Sequence, residues 1–266
     1  MNNSYALITG STSGIGLEIA YYMAKKGYNL ILTARRKNIL DEISKNISSK
    51  YKVKVDYISC DLANIKSPKE IFDFCESKNY FVEIVVNNAG YAIPSVFEKT
   101  TMNKEEEFIR VLGVSVIAIT KLFINKMIEN KNGKIMIVSS VAAFAMPSTI
   151  QSLYGPIKTF MNRFSESLNI NYNQRGITST AVCPGYTVTN FHTASGVQNE
   201  MDRVPEFLKK PAKRIAKEAV DAMFMGKAIC IPTKTWKIIT FLIKIVPNSF
   251  FNILSRIIAP GRYDEK

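Results

Sequence analysis

An apolar stretch, Tyr5-Ala6-Leu7-Ile8-Thr9, runs directly into Gly10-Ser11-Thr12-Ser13-Gly14-Ile15-Gly16 and then into the helical pattern Leu17, Ile19, Ala20, Met23 and Ala24. The order is strand, glycine turn, helix. Glycines at a strand-to-helix turn let the backbone approach a pyrophosphate closely. The unpaired N–H groups and positive dipole end of the helix then hold the negative charge. The spacing Gly10, Gly14, Gly16 departs from the general G-x-G-x-x-G fingerprint, and taken alone it also fits a flexible loop.

A second strand, Asn29 to Thr33, ends in Ala34-Arg35-Arg36-Lys37. About twenty residues past the glycines, an NAD-binding unit presents Asp or Glu to the ribose 2′-hydroxyl, whereas arginine suits a 2′-phosphate. Arg35 and Arg36 therefore predict NADP (NADPH) rather than NAD, because a guanidinium pairs with phosphate through two parallel hydrogen bonds. The bland alternative is a solvated basic helix start. Further strands are expected at Val53 to Ser59, Ile84-Val85-Val86, Lys134 to Ser139 and Ile177 to Cys183, with helices between them as far as Ile231. This alternation specifies the α/β class: a single doubly wound parallel sheet with helices on both faces. At 266 residues the chain is long for one domain, yet α/β folds of this size commonly form one core.

Tyr154 and Lys158 stand four residues apart, downstream of an apolar strand that ends at Ser140. On a helix, such residues share one face. A free phenol has a pKa of ~10, and a neighbouring ammonium favours the phenolate, which makes proton exchange with a substrate oxygen feasible. Pro156 is compatible with a helix only in its first turn, so that helix is expected to begin near Gln151.

Together these residues resemble the short-chain dehydrogenase/reductase family, over a stretch from Met1 to about Pro232. Thr9-Gly10-x-x-x-Gly14-x-Gly16 is similar to the family's cofactor turn, with Ser11, Thr12, Ser13 and Ile15 inside it. Asn87-Asn88-Ala89-Gly90 resembles its NNAG segment beside the cofactor, and Cys60-Asp61-Leu62 its adenine contact, with Asp61 toward the adenine amine. Ser140, Tyr154 and Lys158 fall on the catalytic serine, tyrosine and lysine. Pro184-Gly185-Tyr186-Thr187-Val188-Thr189 looks like the PGxxxT segment, whose Pro184, Gly185, Thr187 and Thr189 would contact the nicotinamide carboxamide. The resemblance implies a Rossmann fold in which Ser140 binds the substrate oxygen, Tyr154 donates its proton and Lys158 lowers the tyrosine pKa and holds the nicotinamide ribose. It also implies a homodimer or homotetramer, paired through helices at about Lys104 to Asn130 and Gln151 to Gln174, and a substrate region from about Thr189 to Lys213.

Two departures stand out. The position of the family's catalytic asparagine, eight residues before Thr120, holds Leu112, which removes the side chain thought to anchor a relay water to the lysine. The interval from Ser140 to Tyr154 is one residue longer than usual, with Ser139 also available.

Cys60, Cys75, Cys183 and Cys230 have no metal-type spacing and read as reduced, mostly buried thiols; no metal is expected. The lone His192 reads as a loop residue. Met1-Asn2-Asn3 leads almost directly into the first strand without a signal-peptide pattern, which sets the expectation of a cytoplasmic protein. The formal charge is +13, and Arg203 to Lys266 carry thirteen basic against five acidic side chains. Nucleic-acid binding could use that charge, but no recognised motif supports it. Residues 1–232 are expected to form the Rossmann-type domain and 233–266 an apolar, basic helical extension of the same domain. The apolar runs Trp236 to Val246 and Phe250 to Ile258 fall short of the ~20 residues that span a bilayer. With Lys237, Lys244, Arg256 and Arg262 they suit either peripheral contact with an anionic membrane or helices folded over the substrate pocket or a second subunit. The expected activity is NADP-dependent reduction of a lipophilic ketone or aldehyde, oxoacyl or steroid-like, or oxidation of the matching alcohol. The alternative is a weakly active or inactive NADP-binding regulatory or membrane-surface protein.

Overall fold

The structure is a computed structural model that describes residues 4–145, 151–189, 202 and 204–245. Its chain order is β1 (Ser4–Thr9), α1 (Gly14–Lys25), β2 (Asn29–Ala34), α2 (Lys37–Tyr51), β3 (Val55–Ser59), α3 (Ser67–Ser77) and β4 (Phe81–Asn87). There follow α4 (Met102–Ile109), a π-helical turn (Arg110–Val114), α5 (Ser115–Glu129), β5 (Gly133–Val138), α6 (Tyr154–Tyr172) and β6 (Ile177–Val182). The chain continues through β7 (Thr187–Val188), β8 (Lys210–Pro211), α7 (Ala212–Phe224), β9 (Ile229–Cys230) and α8 (Lys234–Ile245). Seven strands form one sheet in the order β3-β2-β1-β4-β5-β6-β9, with every pairing parallel.

The strands are apolar on both faces because both faces are covered. Along β1 the side chains alternate: Tyr5 and Leu7 join Ile71 of α3, Phe123 of α5 and Met161 of α6. Ala6 and Ile8 join Ile19 and Met23 of α1, Leu40 of α2 and Val220 of α7 on the opposite side. These two cores are the physical content of the doubly wound Rossmann architecture. The strand order reverses between β1 and β4. A crevice outside the carboxyl ends of the strands at such a switch point is where α/β sheets bind ligands.

Strand boundaries differ from expectation by one to three residues, as hydrogen-bonded ends usually do. The start of α6 is a correction with a cause. The helix begins at Tyr154, not near Gln151, because Gln151 is left-handed (φ 58°) and its N–H is committed to Ser95 O at 3.0 Å. Pro156 thus lies in the first turn, where its missing N–H leaves no bond unmade. The small parallel pair β7–β8 has no counterpart in the sequence reading.

Candidate active site

The glycine turn after β1 is held from beneath by Asn88. Its side-chain amide donates to Thr9 O at 2.9 Å and Gly10 O at 3.2 Å. The N–H groups of Asn88 and Ala89 both donate to Thr9 Oγ1, at 2.9 and 3.0 Å. The NNAG segment after β4 and the turn after β1 are therefore one hydrogen-bonded unit. Gly10 is left-handed (φ +65°), and a Cβ there would lie 2.9 Å from Ala89 Cα and from Asn88 Nδ2, so both backbone conformation and space demand glycine. A Cβ on Gly16 would run into the same Asn88 amide. Gly14 (φ +59°) opens α1, and Thr189 packs against it, 3.2 Å from where a Cβ would stand. Ile15 and the half-buried Ser13 complete the entry to that helix, while Ser11 is buried with its hydroxyl on Thr33 O at 3.3 Å.

At the end of β2, Arg35 and Arg36 are both exposed, and Arg36 Nη2 donates to Thr12 Oγ1 at 3.0 Å. The basic pair thus stands at the rim of the glycine turn. Asp61, after β3, is exposed and shapes its own turn by accepting from Ala63 N at 3.0 Å, whereas Leu62 is buried in the core below.

Ser140, at the end of β5, is half-buried; its Oγ accepts from Ala142 N at 3.1 Å and caps a short 3-10 turn. That leaves the hydroxyl proton available for donation. Ser139 is buried and donates to Lys158 O at 3.0 Å, so of the two serines Ser140 is the more open. Tyr154 opens α6, and Lys158 follows one turn later with Nζ 5.5 Å from the Tyr154 ring centroid. Lys158 is only 7% exposed, and Nζ donates to Val138 O at 2.9 Å. Burial lowers the lysine pKa from 10.5 to about 8. Nearby, burial pushes the Cys183 thiol up to about 12, and its Sγ donates to Asn162 Oδ1 at 3.3 Å.

The segment after β6 closes this arrangement. Pro184 O accepts from Val141 N at 3.0 Å, tying it to the Ser140 strand end, and Thr187 Oγ1 donates to Gly185 O at 3.0 Å. The indole of Trp236, on α8, lies so tightly on Gly185 that any Cβ would overlap it, and its Nε1 donates to Leu208 O at 3.0 Å. In the sequence Trp236 is one residue of an apolar run, and nothing local signals that it seals Gly185. Leu112 sits in the π-helical turn, buried at 2% exposure, with its side chain 3.5 Å from where a Cβ on Gly90 would be. Only apolar atoms are offered there.

The structure thus brings together, at one end of the sheet, Ser140, Tyr154, Lys158, the glycine turn, Asn88-Ala89-Gly90 and Pro184 to Thr189. His192 and much of the expected substrate region lie outside the described residues. Among the described residues no cluster of His, Cys, Asp or Glu could hold a metal ion. The donor set fits a dinucleotide: left-handed glycines that exclude a Cβ, a helix N-terminus facing the same turn, and exposed guanidinium groups at its rim.

Comparison with known proteins agrees. The family profile described as short chain dehydrogenase matches residues 4–200, and the chain belongs to the short-chain dehydrogenase/reductase family. It is 30% identical to hydroxysteroid dehydrogenase-like protein 1 of Gallus gallus, over 84% of this chain and 66% of the relative. It is 32% identical to very-long-chain 3-oxoacyl-CoA reductase of Homo sapiens, over 70% of this chain and 60% of the relative. The chain therefore spans somewhat under two thirds of the length of these curated relatives. Among solved structures, a short-chain dehydrogenase from Sphingobium yanoikuyae in complex with NADPH superposes with TM-score 0.81 at 24% identity, covering 92% of this chain and 97% of that one. A 7beta-hydroxysteroid dehydrogenase gives 0.83 at 19%, covering 93% and 95%, and both carry the same fold.

Proposed function

We propose that the chain is an NADP(H)-dependent oxidoreductase that reduces a lipophilic ketone or aldehyde of oxoacyl or steroid-like kind, or oxidises the matching alcohol. The observation that carries this reading is the desolvated Lys158 one helical turn from Tyr154, beside Ser140 with an uncommitted hydroxyl proton. When bound, NADPH supplies the hydride. Ser140 donates to the substrate oxygen and fixes its position, and Tyr154 gives its proton to the alkoxide that develops there. Lys158 in its cationic form stabilises the resulting phenolate, and its burial strengthens that effect. Donors aimed in advance at charge that appears only in the transition state are the main source of rate. Arg35 and Arg36 support NADP over NAD, and the relatives named for 3-oxoacyl-CoA and hydroxysteroid support a lipophilic substrate.

A second reading is favoured by Leu112, whose buried aliphatic side chain cannot hold a relay water: a weakly active protein that uses NADP occupancy for regulation. NADPH oxidation across oxoacyl, steroid and small aldehyde substrates, repeated with Tyr154→Phe, separates the two. Turnover that disappears with the phenol supports the enzyme; tight NADPH binding without Tyr154-dependent turnover supports the regulator.

On α8, Ile238, Phe241, Leu242 and Ile245 form an exposed stripe flanked by Lys234, Lys237 and Lys244. Among the described residues no helix is long and apolar enough to cross a membrane. We place the protein in the cytoplasm with peripheral contact to an anionic membrane through this stripe. Exposed Val114 at the end of the π-helical turn and Ile117 at the start of α5, with Phe160 and Ile170 on α6, suit pairing of two copies. Vesicle co-sedimentation at low and high salt, and the mass in solution, test these two points.

A further inference from the structure

A small pocket beside Tyr154 is walled by Ile93, Ser95, Glu105, Phe108, Gln151 and Leu153. Two of these residues bring buried polar side chains, and one of them carries an acceptor left without a partner among the described residues. Gln151 is 7% exposed, and its Oε1 is buried with no hydrogen-bond partner among the described residues. Glu105 is equally buried; one carboxylate oxygen accepts from Thr100 Oγ1, and among the described residues the carboxylate forms no ion pair. An orphaned buried acceptor is penalised in the folded state, and such groups are rare unless something else satisfies them.

Gln151 is also held in a conformation that a glutamine seldom adopts. Its left-handed backbone is fixed from both sides, by its N–H on Ser95 O at 3.0 Å and by Tyr154 N donating to its carbonyl at 2.8 Å. Strain of this kind persists where the surroundings impose it, and it clusters at ligand sites. The pocket has room for one water-sized group. A hydroxyl oxygen has that size, and a hydroxyl is the donor that two acceptors require.

We propose that this pocket is a specificity subsite that takes a hydroxyl carried by the substrate, donating to Gln151 Oε1 or Glu105 while the carbonyl reacts at Tyr154. The inference rests on the carbonyl-reductase reading above and narrows its substrates to lipophilic ketones bearing a hydroxyl at a set distance from the reacting carbon. Gln151 and Glu105 are then specificity-determining residues. A site built around a substrate hydroxyl discriminates strongly against the analogue that lacks it.

The test is kcat/KM for 2-decanone against hydroxy-2-decanones with the hydroxyl at successive carbons, in wild type, Gln151→Leu and Glu105→Gln. One isomer is expected to exceed 2-decanone by roughly tenfold or more, with the advantage reduced in both variants, chiefly through KM. The proposal is overturned if no isomer exceeds 2-decanone in wild type, or if the advantage survives undiminished in both variants. Should Gln151→Leu fail to fold, Glu105→Gln carries the comparison. Calorimetric titration of the NADP-loaded protein with the corresponding diols and 2-decanol needs no turnover. A diol preference lost in the variants, without reduction of any ketone, would retain the subsite and reject the reductase reading; no diol preference rejects the subsite.

Discussion

Replacing Lys158 by methionine should make the cofactor-free protein more stable at neutral pH while abolishing proton transfer. Burial lowers the lysine pKa from 10.5 to about 8, and at ~1.4 kcal/mol for each pH unit this corresponds to about 3 kcal/mol of destabilisation. Removing the bond from Nζ to Val138 O gives up roughly 1 kcal/mol, so the net gain at pH 7 is about 2 kcal/mol. The sign follows from proton counts. Below about pH 8 the folded and unfolded chains both carry the proton, and the full penalty stands. Between about 8 and 10.5 only the unfolded chain holds it, so wild-type stability rises with pH, and above 10.5 the penalty is gone. Urea unfolding of wild type and Lys158→Met at pH 7 and above pH 10 measures this, and the difference cancels the tyrosines and cysteines that titrate in both. Methionine more stable at pH 7, with the gap closing as pH rises, is expected. A variant no more stable at pH 7, or a gap independent of pH, refutes the reasoning.

Asn88→Ala removes the bonds to Thr9 O and Gly10 O that carry the glycine turn, and unfolding in urea should show a loss of about 1–3 kcal/mol. Arg36→Ala should weaken NADPH binding roughly 10- to 100-fold by fluorescence titration and NADH binding far less, as expected for a charge-assisted phosphate contact; equal losses for both would remove the argument for NADP. Gly185→Ala forces a methyl group into the indole of Trp236, the chain's single tryptophan. Its emission should move to longer wavelength as α8 loosens, and an unchanged spectrum would mean that the contact yields freely.

The alternation of strand and helix was legible because periodicity and glycine punctuation are local properties, and both faces of β1 follow from one alternating run. Ser140, Tyr154 and Lys158 were legible as a candidate site through their order along the chain. Sequence alone left Ser139 and Ser140 open; burial separates them, because the side chain of Ser139 turns into α6. The contacts that shape the site join distant residues, and no spacing rule encodes them. Trp236 reaches Gly185 across fifty-one positions, Thr189 meets Gly14, and Arg36 ties to Thr12. Pro156 limits the start of α6 only to within about a turn, so the sequence admits a start near Gln151; the bond from Gln151 N to Ser95 O holds that residue left-handed and moves the start to Tyr154.

The most direct test follows an isotope. With NADPH deuterated at the transferable C4 position and a ketone that the protein accepts, wild type should yield alcohol one mass unit heavier, and Tyr154→Phe should yield almost none while still binding NADPH. Unlabelled alcohol from wild type, or equal labelled product from Tyr154→Phe, would contradict a reduction that depends on the Tyr154 proton.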